Sequence, residues 1–184
     1  MFTRTTRLFL RPAFPDDWQQ IHRGLGDKRV ARMLANVPWP YRQDDARACA
    51  SRTSRPHEPR FLITLPDETG APVIGEITLQ KQAEGIELGF WIAQDRWGQG
   101  YATEAGRAVI DLARVIGHKR IVSGHFLDNP ASGRVLAKLG FCPAGEVRAH
   151  FCASRGGEMV LTKHYKLDLG CGEAGPSECR MQAA

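Results

Sequence analysis

Between Arg60 and Phe126 the spacing of apolar residues changes twice, and the order of those changes limits the folds open to the chain. Residues 60–65 (RFLITL), the turn-forming PDETGAP and residues 73–79 (VIGEITL) read as an antiparallel hairpin, with residues 86–93 (IELGFWIA) as a third strand beside it. Over residues 101–116 the period lengthens. Ala105, Val109, Leu112, Ala113 and Ile116 recur at three- and four-residue steps, which predicts a helix with one apolar face. Residues 120–126 (RIVSGHF) return to a strand pattern, and residues 132–139 form a helix stopped by Gly140. A last pair of strands is expected at 145–149 and 159–167. Antiparallel strands, then strand–helix–strand–helix, then strands again predict an α+β domain: a mixed sheet with helices on its faces. A doubly wound parallel sheet fits that order poorly.

Upstream, residues 7–14 read as a first strand halted by Pro12 and Pro15. Asp16 and Asp17 then supply capping chemistry for a helix carrying Trp18, Ile21 and Leu25. Further helical stretches are expected at about 27–35 and 43–52, separated by VPWPY (37–41), whose two prolines exclude a helix. The 184 residues suit a single domain over 1–169. From about Gly170 the segment GCGEAGPSECRMQAA has no periodicity and reads as a mobile tail. No apolar run approaches the ~18 residues of a membrane span. Five cysteines, odd in number and without C-x-x-C spacing, point to no disulfide framework and no metal site; a reducing cytoplasm is the natural compartment.

The stretch DRWGQGYATEAG (95–106) sets two glycines at the head of the long helix. A P-loop requires G-x-x-x-x-G-K-[ST], which is absent. The dinucleotide fingerprint requires G-x-G-x-x-G; Gly98 and Gly100 fit, but Thr103 stands in the third place. The underlying physics remains. The first turn of a helix has unpaired N–H groups and the positive end of the dipole, and glycines let a phosphate approach the backbone. A pyrophosphate can sit there, although two glycines also serve a simple tight turn.

Residues 96–102 (RWGQGYA), followed by TEA, resemble the acyl-CoA-binding signature of the GNAT N-acetyltransferases, Q/R-x-x-G-x-G/A. Trp97 stands where Gln or Arg is usual, a departure associated with the RimJ/RimL-like branch of ribosomal-protein N-terminal acetyltransferases. TRLFLRP near the start, PWPY (38–41), IELGFWI (86–92), NPAS (129–132) and VLAKLGF (135–141) are similar to that branch in the same order, over roughly residues 4–168.

The resemblance implies a mixed, mostly antiparallel sheet, splayed between the family's fourth and fifth strands, here residues 86–93 and 120–126. It implies acetyl-CoA as co-substrate, no metal, and transfer of acetyl to a primary amine, either a protein N-terminus or a small molecule, by direct attack in a ternary complex. By similarity, pantetheine meets backbone groups at Trp91, Ile92 and Ala93, and the pyrophosphate meets the amides of Gly98, Gln99, Gly100, Tyr101, Ala102 and Thr103. Asn129 would contact the pantetheine arm. Lys138 would reach a phosphate, or is simply an exposed helical lysine.

Amide formation from a thioester needs a base, oxyanion donors and a proton for the departing thiolate. Glu87 is the candidate base, its other reading being a sheet-surface carboxylate paired with an arginine; Glu76 is a second carboxylate nearby. Ser132 is the candidate partner of the sulfur, or a helix cap. Tyr101 and Tyr165 are alternative donors. His125 ends the fifth strand and either exchanges protons there or is structural. Residues 1–60 hold 12 Arg and Lys against 6 Asp and Glu, which suggests an acidic or phosphate-bearing acceptor, or a solvated basic face. A CoA-binding module without catalysis is the second functional reading. Nucleic-acid attachment has basic charge but no motif behind it. By analogy with relatives, a homodimer is expected.

Overall fold

The structure is a computed structural model whose described residues are 1–55, 57–67 and 70–170; the tail expected to be mobile, apart from Gly170, lies outside them. Two short strands, β1 (Thr3–Arg4) and β2 (Phe9–Arg11), pair antiparallel, and β2 ends sooner than its alternation suggested. Arg11 leaves the strand there to hold Asp17 through two 2.7 Å hydrogen bonds. Asp17 therefore does not cap the next helix, α1 (Trp18–Leu25), with its side chain; the carboxylate braces the preceding turn, accepting from Phe14 N at 2.7 Å. Helix α2 covers Lys28–Ala31 and stops four residues before the expected end. The reason is tertiary. The carbonyls of Arg32, Leu34 and Ala35 accept from Arg155 Nε, Ser154 Oγ and Ala153 N, so this stretch of backbone is docked on the far end of the chain. Helix α3 is Gln43–Ala50.

The expected hairpin forms from β3 (Arg60–Thr64) and β4 (Val73–Gln82), and β5 (Gly85–Ile92) continues it antiparallel. Then follow α4 (Tyr101–Val115), β6 (Arg120–Phe126), α5 (Pro130–Lys138), β7 (Cys142–Pro143), β8 (Arg148–Cys152) and β9 (Glu158–Asp168). The strand order is β1-β2-β3-β4-β5-β6-β9-β7, with β8 also on β9, and every pairing is antiparallel except β5 with β6. This is the α+β architecture the periodicities required.

Helices α4 and α5 cover one face, where Ile77, Leu79, Leu88, Val109, Ile121 and Leu136 are almost wholly buried. Helices α1–α3 cover part of the other, over Leu62 and Trp91. Each such Leu or Ile contributes roughly 1.5–3 kcal/mol on burial, so the two cores hold the sheet from both sides. The parallel pair is the exception. Its ladder consists of Ile86–Ile121 and Glu87–Val122, followed by a hydrogen bond from Ser123 Oγ to Leu88 O at 2.8 Å. Beyond it β5 keeps its β4 partners but has none on β6, and the sheet forks.

Candidate functional site

Alternation decides which backbone groups face the fork. Ala93 N donates to Ile74 O at 2.8 Å, so Gly89, Trp91 and Ala93 turn their amides and carbonyls to β4. Leu88, Phe90 and Ile92 turn theirs the other way. Ile92 O is already occupied, by Trp97 Nε1–H at 2.7 Å. The indole at the position where the family signature has Gln or Arg thus ties the glycine turn to the end of β5. What the fork exposes is Phe90 N–H and C=O together with Ile92 N–H. Of the three residues expected there, Ile92 turns its amide to the fork while Trp91 and Ala93 turn theirs to β4; Phe90, not among the expected residues, joins Ile92 on the fork side. The Trp91 side chain instead packs beside Gly24 of α1 and donates to Glu76 Oε2 at 3.2 Å.

Gly98 and Gly100 have φ of +75° and +83°, the left-handed region that a side chain disfavours, and nothing lies within 4 Å of where a Gly98 Cβ would stand. Gly100 is the N-cap of α4, which leaves the amides of Tyr101, Ala102 and Thr103 without helical acceptors. The turn is braced from a distance. Glu104 accepts from Thr5 Oγ1 (2.6 Å), Arg7 N (2.8 Å) and Arg7 Nε (2.7 Å), and Arg7 Nη1 reaches Gln99 O at 3.1 Å while its guanidinium lies over the Tyr101 ring. Burial works against the Glu104 carboxylate, yet these donors hold its pKa below the ordinary range. Arg7 and Glu104 are 97 residues apart, and sequence reasoning found neither.

A cavity of about 1130 Å³ runs through the fork. Glu87, Ser132, His125, Trp91, Ile92, Gly98, Gly100, Tyr101, Ala102, Thr103, Asn129 and Lys138 all line it, whereas Ala93 and Gln99 do not. On the α5 side, Asn129 Oδ1 accepts from Ser132 N (3.3 Å) and so caps the helix itself, which leaves the half-buried Ser132 hydroxyl facing the cavity rather than capping. Arg96, Arg134 and Lys138 give this half a positive lining. His125 has both ring nitrogens engaged, Nδ1 with Phe126 O (2.8 Å) and Nε2 with the Tyr165 hydroxyl (3.2 Å). Tyr165 is buried in the core beneath it. Glu76 is held by Arg60 in a buried ion pair and by the Trp91 indole.

The opposite half of the cavity has a different character. Glu87 shares one sheet face with Thr78, Gln80, Gly124, Thr162 and His164, as the ladder registers require. It has no hydrogen-bond partner among the described residues. Burial pushes its pKa above the ordinary carboxylate value, with His150 pulling the other way and Glu84 adding to the rise. His150 and His164 meet at 3.0 Å between their Nε2 atoms. Of the 12 basic residues in 1–60, Arg52 alone lines the cavity. Arg7, Arg11, Arg29, Arg32, Arg47 and Arg60 are paired with carboxylates, so the basic surplus does not form the cavity wall. Among the described residues there is no cluster of three His, Cys, Asp or Glu arranged for a metal, and no helix long and apolar enough to cross a membrane.

Residues 7–142 match the family model described as an acetyltransferase (GNAT) domain. An uncharacterized N-acetyltransferase, YoaA of Bacillus subtilis (strain 168), is 33% identical over 78 residues, 42% of this chain and 44% of that protein; the match spans less than half the length of that relative. A GNAT-family acetyltransferase from Bacillus anthracis superposes with a TM-score of 0.77 at 23% identity, over 91% of this chain and 98% of that one. RimL, a ribosomal alpha-N-protein acetyltransferase solved with coenzyme A, gives 0.74 at 20% identity over the same shares. At these identities the superpositions report on the fold.

Proposed function

Because the chain belongs to the GNAT acetyltransferase family, we propose that it moves an acetyl group from acetyl-CoA to a primary amine by direct attack within a ternary complex. The observation that carries this reading is the fork: unpaired backbone groups of Phe90 and Ile92, flanked at one end by a bare helix N-terminus and at the other by an unpaired carboxylate. The Gly98–Gly100 turn and the Tyr101, Ala102 and Thr103 amides suit a diphosphate, with Arg96, Arg134 and Lys138 supplying countercharge. Phe90 and Ile92 offer a strand edge to an extended amide-bearing arm, and the carboxamide N–H2 of Asn129, which also lines the cavity, is a further donor for it. RimL, solved with coenzyme A, shares the fold.

Glu87 is the group we assign to accept the ammonium proton. Its raised pKa makes it more basic than an ordinary carboxylate. Ser132 is assigned to the departing sulfur, since its hydroxyl is released from capping duty. The Phe90 and Ile92 amides are the nearest fixed donors for an oxyanion in the fork. His125, with both nitrogens engaged on β6 and β9 and its ring against Gly133 of α5, is assigned to holding these elements together. The acceptor enters on the Glu87 face; a protein N-terminus, as for the alpha-N-protein acetyltransferase RimL, and a small amine both fit this chemistry. Residues 1–169 act as one acyltransferase domain in the cytoplasm. A homodimer would use the outer face of β8 and β9, where Phe151, Met159 and Leu161 are more than half exposed; a single monomeric species in sedimentation velocity would count against it.

The test is free-thiol release from acetyl-CoA against a panel of N-terminal peptides and small amines. Glu87→Gln is expected to lower kcat by about 10²-fold with acetyl-CoA affinity retained. Binding of acetyl-CoA without turnover on any amine would favour a non-catalytic CoA module instead.

A further inference from the structure

The reaction proposed above leaves a proton over. A primary amine reaches neutral solution as R–NH3+, and its reaction with the thioester gives the amide, the free thiol and one H+. In the fork that proton first meets Glu87, which must be discharged before the next turnover. We propose that the His150–His164 pair takes the proton from Glu87 and returns it to solvent. The inference rests on the acetyl-transfer reading.

The pair is built by register. β8 pairs His150 with Val160, β9 pairs His164 with Gly124, and β6 pairs Val122 with Glu87 across the parallel ladder. Strand alternation puts all three side chains on one sheet face. Gly124 lets β9 pack closely against β6 at this point: a Cβ there would crowd Thr162 Cγ2 at 3.2 Å and stand 3.8 Å from His164 Nδ1. All three side chains line the cavity. The histidines differ in setting: the His150 side chain is open to solvent and that of His164 is half-buried.

At 3.0 Å between two Nε2 atoms, one nitrogen must donate and the other accept. The pair can therefore hold one extra proton but resists two. Burial, followed by the charge of His150, pushes the His164 pKa below that of free imidazole. Within the contact we take His164 Nε2 as the acceptor and His150 Nε2–H as the donor. Protonated His150 favours the Glu87 carboxylate, which resets the base, and its exposed ring then loses the proton to water. The other charged groups facing the pair are Glu84 from the β4–β5 turn and Arg148 from β8, joined at 3.0 Å, with Lys166 on the same face of β9. Glu84 and Arg148 are ion-paired with each other rather than with either imidazole. His164 acts through His150 and is a positioning residue.

The experiment compares wild type, His150→Gln and His164→Gln for thiol release with the best peptide or amine of the panel, across pH 5.5 to 9 (about the range a histidine relay covers). His150→Gln is expected to lower kcat roughly tenfold, with the KM for acetyl-CoA unchanged and partial rescue by free imidazole. Both variants are expected to shift the acid limb of the kcat profile. Ring C–H resonances, followed by NMR, supply a readout without turnover: His164 titrates below free imidazole, and His150→Gln raises its midpoint. Unchanged kcat and pH profile in both variants, or two rings titrating independently at the ordinary value, overturns the inference while acetyl transfer stands. A wild type that acetylates nothing overturns both.

Discussion

Tyr41 is buried at the base of the cavity under α3, and its hydroxyl has no hydrogen-bond partner among the described residues. Burial, then the neighbouring Cys49 and Glu76, push its pKa far above the ordinary 10, so it stays a neutral donor at working pH. An orphaned buried hydroxyl costs about 1–3 kcal/mol. Tyr41→Phe should therefore raise stability by about 1 kcal/mol in urea unfolding, while weakening the acceptor KM if a substrate oxygen uses that group. Glu87 makes a comparable prediction with a pH signature. Its folded pKa lies above the unfolded 4.5, so ionising it costs stability as pH rises through the folded value. Glu87→Gln should be more stable than wild type at pH 7, with the gain vanishing below about pH 4.5 in thermal melts. At this scale the sequence named Glu87 and Ser132 as candidates, and both line the cavity, because a family resemblance points to single strand and loop positions. It missed the histidine pair for a reason of register. The strand expected at 145–149 stopped one residue short of His150, and only the β8–β9 ladder reveals that His150 and His164 meet.

Among elements, α4 and its turn were the most legible, since a helical period and two glycines are local signals. The brace that holds them was not: Thr5 and Arg7 near the start meet Gln99 and Glu104 past mid-chain with no shared pattern. Glu104→Gln is expected to cost roughly 1–3 kcal/mol, because it removes charge from hydrogen bonds to Thr5 and Arg7 in a mostly buried site. The Glu104 pKa is depressed on folding, so that difference should be present at neutral pH and shrink as pH falls through the folded value. Replacing Gly98 and Gly100 together with Ala forces side chains into positive φ, at a cost of about 1 kcal/mol or more each. Calorimetry should then show acetyl-CoA affinity at least tenfold weaker, as the turn relaxes and Cβ atoms fill the approach to its amides. Helix α2 marks where local reading failed. Its periodicity continues to Ala35, but the carbonyls of 32–35 are captured by the 153–155 turn, a competition no window of neighbouring residues contains.

For the whole molecule, the order of periodicities was enough to give the mixed sheet, whereas the distribution of charge was misleading. The arginine surplus of the first 60 residues looked like a ligand-facing surface, yet six of its 12 basic residues are tied to carboxylates and Arg52 alone of the 12 lines the cavity, whose other cations are Arg96, Arg134 and Lys138. If acetyl-CoA binds the folded chain alone, a concentration 100 times its Kd should add about 2.7 kcal/mol of stability, visible as a concentration-dependent rise in Tm. The Ser123 hydroxyl bonded to the Leu88 carbonyl, where the two parallel strands part, has a consequence of its own. It is a floor. If the acyl donor threads from the glycine turn toward that junction, as the proposed reaction requires, it meets a closed seam that sets how long a carbon chain fits. Ser123→Ala unlatches the seam, and competition between propionyl and acetyl thioesters should then tilt several-fold toward the longer donor; an unaltered preference would mean that the gauge lies elsewhere.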